Sequence, residues 1–142
     1  ISSCIGNKSI IDRLQLLRSQ YDFGMSYPVQ KAAIAALTGP RDGVKAQCME
    51  YQKRRDSFLG ALRKIGWNVP DSHGTMFVWL PVPEGYTSWS FCEALMDKAG
   101  VIGTPGTAFG PMGEGYIRFA LVKPCEELVH IAEVIGESGL FA

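Results

Sequence analysis

Apolar residues recur at helical spacing from Ile10 to Ile65, and from Trp67 onward short apolar runs alternate with helical ones. The chain therefore reads as a helical first part and a mixed second part. Ile10, Leu14, Leu17 and Tyr21 line one face of a first helix, which Ser9 and Asp12 cap in a Ser-x-x-Asp pattern and which ends near Asp22 to Gly24. A second helix opens around Ser26 to Pro28, where proline is tolerated in the first turn, and stops at Gly39-Pro40. Its body, Ala32 to Leu37, is apolar nearly all round and needs cover on every side. A third helix, about Arg41 to Ile65, carries Val44, Cys48, Tyr51, Phe58, Leu62 and Ile65 as a stripe, with Leu59 beside it and Arg55 interrupting it. At about 1.5 Å per residue it spans on the order of 36 Å, which suits a strut between domains, and its stripe covers too few heptads for a coiled-coil seam.

Thr75 to Leu80 is an unbroken apolar run of strand length, which predicts a strand buried on both faces and ended by Pro81 and Pro83. Ser88 to Lys98 predicts a helix closed by Gly100, with Phe91 and Leu95 turned inward and Ala94 and Met96 as further inward candidates. A short strand at Val101 to Gly103 follows, then a glycine-rich loop to Gly115. From Tyr116 to Val122 the period is two: Tyr116, Arg118, Ala120 and Val122 share one face, and Ile117, Phe119 and Leu121 the other. Pro124 starts the last helix, with Leu128, Ile131, Val134 and Ile135 as its buried face. Strand, helix, strand, strand, helix is an α+β arrangement in which helices cover a small sheet.

Composition narrows the partners. At 142 residues, 46% hydrophobic and with mean hydropathy +0.05, the chain can build one ordinary core. Lys and Arg number 14 against 14 Asp and Glu, so no electrostatic case arises for nucleic acid or an acidic membrane, and no apolar run reaches the length of a membrane span. Cys4, Cys48, Cys92 and Cys125 are scattered, which fits a reducing, cytoplasmic compartment, and with His73 and His130 they match no zinc spacing. Lys53 to Asp56 reads as a solvated face.

The chemistry-bearing position is Arg118, a lone arginine in an otherwise apolar strand. No acidic residue lies in that strand, and a guanidinium suits a carboxylate or phosphate held by two parallel hydrogen bonds. The residues leave three readings open: capture of a substrate carboxylate, a structural salt bridge to an acid supplied by the fold, or an edge strand with Arg118 in water. The loop before it holds neither a P-loop nor a dinucleotide fingerprint and leads into a strand, so phosphate cradling is disfavoured. Its glycines suit tight turns and close backbone approach to a ligand, and Gly74 suits a simple turn. Cys92 and His73 have only residue type in favour of a nucleophilic pairing.

The run Pro105-Gly-x-x-Phe-Gly-x-x-Gly-Glu-Gly-Tyr-Ile-Arg-x-x-Leu resembles the C-terminal signature of class I/II pyridoxal-phosphate-dependent aminotransferases, the aspartate aminotransferase superfamily. Gly74-Thr-Met-Phe-Val-Trp-Leu-Pro-Val-Pro resembles that family's small-domain strand, and Tyr21-Asp-Phe-Gly-Met-Ser-Tyr-Pro-Val-Gln-Lys-Ala-Ala its segment before the interdomain helix. The three blocks stand in family order, and the wording is nearest the branch of LL-diaminopimelate, aspartate and alanine aminotransferases. The resemblance implies a fold type I architecture, with residues 1–40 as the tail of the large cofactor-binding domain plus dimer-interface helices. Residues 41–142 would be the small C-terminal domain, with a small mixed sheet and the long interdomain helix. It also implies that Arg118 binds the substrate α-carboxylate and that Phe23, with Tyr27 close by, reaches the neighbouring subunit's pocket; ordinary packing at a helix junction is the alternative for both.

By the same resemblance, the family's Ser-x-x-Lys motif, whose lysine carries pyridoxal 5'-phosphate as a Schiff base, and the phosphate-binding arginine after it are not in this chain. Ile1 to Asn7 resembles the strand and turn that follow that arginine, and the chain starts without Met and without a leader-type stretch. The expectation is a C-terminal piece of a homodimeric transaminase acting on amino acids and 2-oxo acids, itself inactive and binding no cofactor. The alternatives are a piece of a carbon–sulfur lyase of the same fold and a non-catalytic amino-acid-binding regulatory module, which would not need the helices before Trp67.

Overall fold

The computed structural model describes residues 2–22 and 24–141. The chain forms two compact units, Ile1–Gly43 and Val44–Ala142.

The first unit holds α1 (Lys8–Tyr21) and α2 (Tyr27–Thr38), neither of which has a fully buried residue. The cap of α1 is Asn7 and not Ser9: the Asn7 side chain accepts the Ser9 backbone N–H at 2.9 Å, as a residue with β-type backbone just before the helix must. Asp12 instead pairs with Lys8 one turn earlier, at 2.6 Å. Ser2 to Gly6 form no strand. Helix α2 opens after Ser26 with Pro28 in its first turn and ends at Gly39, as the sequence predicts. Val29, Ile34 and Leu37 are exposed along it.

The second unit carries the core. Helix α3 (Asp42–Lys64) buries Phe58, Leu59, Ala61 and Leu62 near its C-terminal end, whereas Val44 and Met49 nearer its start are exposed. The sheet consists of β1 (Phe77–Pro81), β2 (Thr104–Pro105) and β3 (Tyr116–Ala120) in the order β1-β3-β2. Expected as mixed, it is antiparallel in both ladders, because β3 inserts between β1 and β2 and runs against each. The short strand predicted at Val101 to Gly103 lies instead at Thr104–Pro105, where the backbone pairs with Arg118 and Ile117.

Strand β1 differs from expectation on a point that matters for function. Val78 and Leu80 are fully buried, but Phe77, Trp79 and Pro81 on the other face are not. Pro81 ends the strand from within, as its last residue, where a missing N–H is tolerated. All three long helices of this unit lie on the Val78, Leu80, Ile117 and Phe119 side. Phe91 and Leu95 of α4 (Ser88–Ala99) meet that side, as do Leu128, Ala132 and Ile135 of α5 (Cys125–Glu137). Met96 is exposed, and Ala132 takes the place foreseen for Ile131 and Val134, which are half-buried. Trp67 closes the core, edge-on to Phe91 at 5.3 Å, while its indole N–H donates to the Pro81 carbonyl at 2.9 Å. Each such fully buried large side chain contributes about 1.5–3 kcal/mol of transfer free energy.

Helix α4 is framed as read. Thr87 and Ser90 form a reciprocal capping box, and Gly100 ends the helix in the left-handed region, where glycine avoids the Cβ penalty.

Candidate functional site

Because helices cover one face of the sheet, the other face displays the odd set of β1 and the even set of β3. Arg118 sits at its centre, paired in register with Trp79 of β1 and Thr104 of β2. Its guanidinium carbon lies 4.2 Å from the centroid of the Phe77 ring and 4.4 Å from that of Phe109. Trp79 in turn meets Phe109 edge-on at 5.6 Å and stacks on Tyr116 at 5.6 Å with the planes 23° apart. Two aromatic rings thus flank the cation, and Trp79 and Tyr116 continue the aromatic cluster behind Phe109. Among the described residues Arg118 makes no salt bridge and no side-chain hydrogen bond, although it is half-buried. Within this chain, then, no described acid forms the structural ion pair, and the half-burial of Arg118 departs from a fully hydrated edge.

Two local devices place the rings. Thr75, a β-branched residue at φ 68°, turns the chain into β1. Its hydroxyl accepts the Phe77 N–H at 2.9 Å and donates to the Phe77 carbonyl at 3.1 Å, which fixes Phe77 against a backbone strain of roughly 1–3 kcal/mol. The left-handed residue here is thus Thr75 and not Gly74. Phe109 ends a 3-10 turn, Gly106–Phe109, and Gly110 at φ 120° reverses the chain after it. The Ser88 hydroxyl, fully buried, donates to the Gly113 carbonyl at 3.2 Å and accepts the Tyr116 N–H at 3.1 Å. Glu114 accepts the Ser88 N–H at 2.8 Å, so a carboxylate sits at the positive end of α4. Of the loop glycines, Gly106 and Gly113 allow backbone to approach backbone, and Gly110 and Gly115 at positive φ serve the turns that the sequence suggested.

A cleft of about 670 Å³ opens on the far side of Phe77, between α3 and the turn into β1, with Tyr51, Arg55, His73 and Met76 in its wall. Tyr27, the first residue of α2, is exposed, with the Lys31 ammonium 5.2 Å from its ring centroid. Phe23 lies outside the described residues. Burial pushes the Cys92 thiol above its ordinary value, which makes it a poor nucleophile. Among the described residues no group of three or more His, Cys, Asp or Glu side chains is placed to hold a metal ion, and no helix is long and apolar enough to cross a membrane.

Residues 1–135 match the family described as aminotransferase class I and II. The chain belongs to the class I and II aminotransferase family. It is 47% identical over 128 residues to an LL-diaminopimelate aminotransferase of Dehalococcoides mccartyi, covering 90% of this chain and 33% of that protein. It is also 38% identical over 141 residues to the L-glutamine–4-(methylsulfanyl)-2-oxobutanoate aminotransferase of Bacillus subtilis, covering 99% and 35%. Among solved structures, substrate-bound BacF of Bacillus subtilis superposes with a TM-score of 0.87 at 31% identity, covering 96% of this chain and 35% of that one. A probable N-succinyldiaminopimelate aminotransferase from Thermus thermophilus gives 0.85 at 31%, covering 94% and 36%. The chain spans about a third of the length of the curated relatives it matches.

The family's cofactor, pyridoxal phosphate, needs a lysine amine held in a defined pocket. Every lysine of this chain is exposed, so the described residues hold no lysine in such a pocket and do not fit the cofactor. What they form is a cation with unused donors. Sequence reasoning found Arg118 and placed Tyr116 beside it, but missed Phe77, Trp79 and Phe109. The available signal was the alternation of Phe77 and Trp79 in β1, two aromatics on one face beside an equally apolar opposite face.

Proposed function

We propose that the whole protein carrying this chain transfers an amino group between an amino acid and a 2-oxo acid, and that Arg118 holds the α-carboxylate shared by both. The observation that supports this is the state of Arg118: a half-buried guanidinium with no anion among the described residues, on the open face of a sheet, in a chain of the aminotransferase family. A guanidinium binds a carboxylate through two parallel N–H donors, and such a grip fixes the substrate at the end away from the bonds that change. Pyridoxal phosphate, held by residues outside this chain, would supply the carbonyl and electron-accepting chemistry in the whole protein. LL-diaminopimelate is the first donor to test, because it names the aminotransferases at 37% to 47% identity.

Residues 1–40 then belong to the end of the large domain and residues 41–142 to the small one. The protein acts as a homodimer in which Phe23 and Tyr27 line the partner's pocket. The apolar, uncovered length of α2 supports such an association. The test is Arg118→Ala in the full-length protein. Loss of a bidentate charged contact lowers kcat/KM for amino acids by the equivalent of about 2 to 5 kcal/mol, with Arg118→Lys between the two. Unchanged efficiency in Arg118→Ala would remove this arginine from the substrate site.

A further inference from the structure

An arginine on a sheet has many rotamers, and something must hold its head where a ligand will need it. A carboxylate would do so, but it would occupy the donors and cancel the charge that the ligand is to meet. The fold uses rings instead. Phe77 and Phe109 attract the guanidinium through their π faces, at 4.2 and 4.4 Å, and have no oxygen that accepts its N–H groups. They come from separate parts of the chain, β1 and the 3-10 turn before β3, and form no ring pair with each other, so the cation is wedged between them. The Thr75 hydroxyl holds the Phe77 backbone from which that ring projects, and the Phe109 ring meets edge-on Trp79, which stacks on Tyr116.

We infer that Phe77 and Phe109 are positioning residues that pre-orient Arg118 for a carboxylate ligand without neutralising it, with Trp79 and Tyr116 as the backing of Phe109. The inference rests on the reading of Arg118 as the α-carboxylate site. Its consequence differs from that of the arginine itself, because removing a ring leaves the charge in place and restores side-chain freedom that binding must then remove. The α-carboxylate keeps its bonds throughout an amino-group transfer, so its grip is equal in ground and transition states. Loss of the clamp therefore raises KM and spares kcat.

The experiment uses the full-length protein, with steady-state kinetics on an amino acid donor for Phe77→Leu, Phe109→Leu, Phe109→Tyr and Arg118→Ala. The expected result is a KM raised about tenfold in either leucine variant with kcat within about twofold, and recovery of the parental KM in Phe109→Tyr, which keeps a π face. A parental KM in both leucine variants, alongside a crippled Arg118→Ala, overturns the clamp and leaves the arginine reading intact. A parental KM in Arg118→Ala overturns both. Nitrogen-15 arginine NMR of the present chain gives a readout independent of activity. The Arg118 Nε–H proton is expected upfield, under the ring currents of Phe77 and Phe109, and to move toward the free-arginine position in Phe109→Leu. A free-arginine shift in the parent chain overturns the proposal even where a leucine variant fails to fold.

Discussion

Gly106 and Gly113 face each other so closely that a Cβ on either would run into the other's backbone carbonyl group. Both are buried, so neither strand of the loop can retreat into solvent. Gly113→Ala is expected to destabilise the chain by at least roughly 1–3 kcal/mol, the usual cost of overpacking. It should also displace Phe109 from Arg118. Urea unfolding followed by the Trp signal measures the first effect, and the Arg118 Nε–H shift the second. A neutral Gly113→Ala would show that the loop can open without loss.

Acid should weaken one surface tie before the core responds. The Arg63 guanidinium donates to Asp71 at 2.6 Å, and that hydrogen bond, with the charge behind it, holds the Asp71 carboxyl below its ordinary range. Its native state therefore releases a proton more readily than its unfolded state. The contribution is complete above the ordinary carboxylate value and is lost as pH falls through the lowered one. Asp71→Asn should have a slightly lower urea midpoint than the parent at pH 7, and the two curves should converge as pH drops below about 4. A gap of constant size across that range would mean that the pair contributes nothing.

The four thiols should separate kinetically. Cys4 and Cys48 are exposed, while Cys92 lies half-buried on α4 with its thiol pushed up by desolvation. The thiolate is the reacting form, so an aromatic disulfide reagent at pH 8 should label Cys4 and Cys48 first and Cys92 last. Peptide mapping of the time course checks the order. Early labelling of Cys92 would reveal that α4 opens on the time scale of the reagent.

Helix α2 predicts association. It has no buried residue while Val29, Ile34 and Leu37 are exposed, and a contiguous apolar surface in water recruits a partner. Light scattering across a dilution series should show the chain self-associating, and Leu37→Glu should shift it toward monomer. A parent chain that stays monomeric at high concentration would rule the surface out as a contact.

Elements bounded by local chemistry were the legible ones. Gly100 marks the end of α4, and alternation in β3 separates Ile117, Phe119 and Leu121 from the Arg118 face. The cap of α1 was misassigned to Ser9 when Asn7 serves it, because which residue stays outside the helix depends on where the chain enters it. The open face of β1 was hidden for a different reason: Phe77 and Trp79 are as hydrophobic as Val78 and Leu80, so apolarity alone marks both faces as interior. The site suffered most from distance. Arg118 was visible by itself, but the ring beneath it comes from Phe77 in another strand, and only the β1 to β3 register joins them.

Five glycines in the thirteen residues from Gly103 to Gly115 suggest the most pliable part of the chain. The Ser88 hydroxyl, Glu114 and the bond from the Val82 N–H to the Gly115 carbonyl at 2.9 Å make it a mount. Glycine surrenders more backbone freedom than any other residue when it is fixed. Here that entropy is given up when the chain folds, so a carboxylate bound at Arg118, as proposed, would meet a loop whose ordering is already complete.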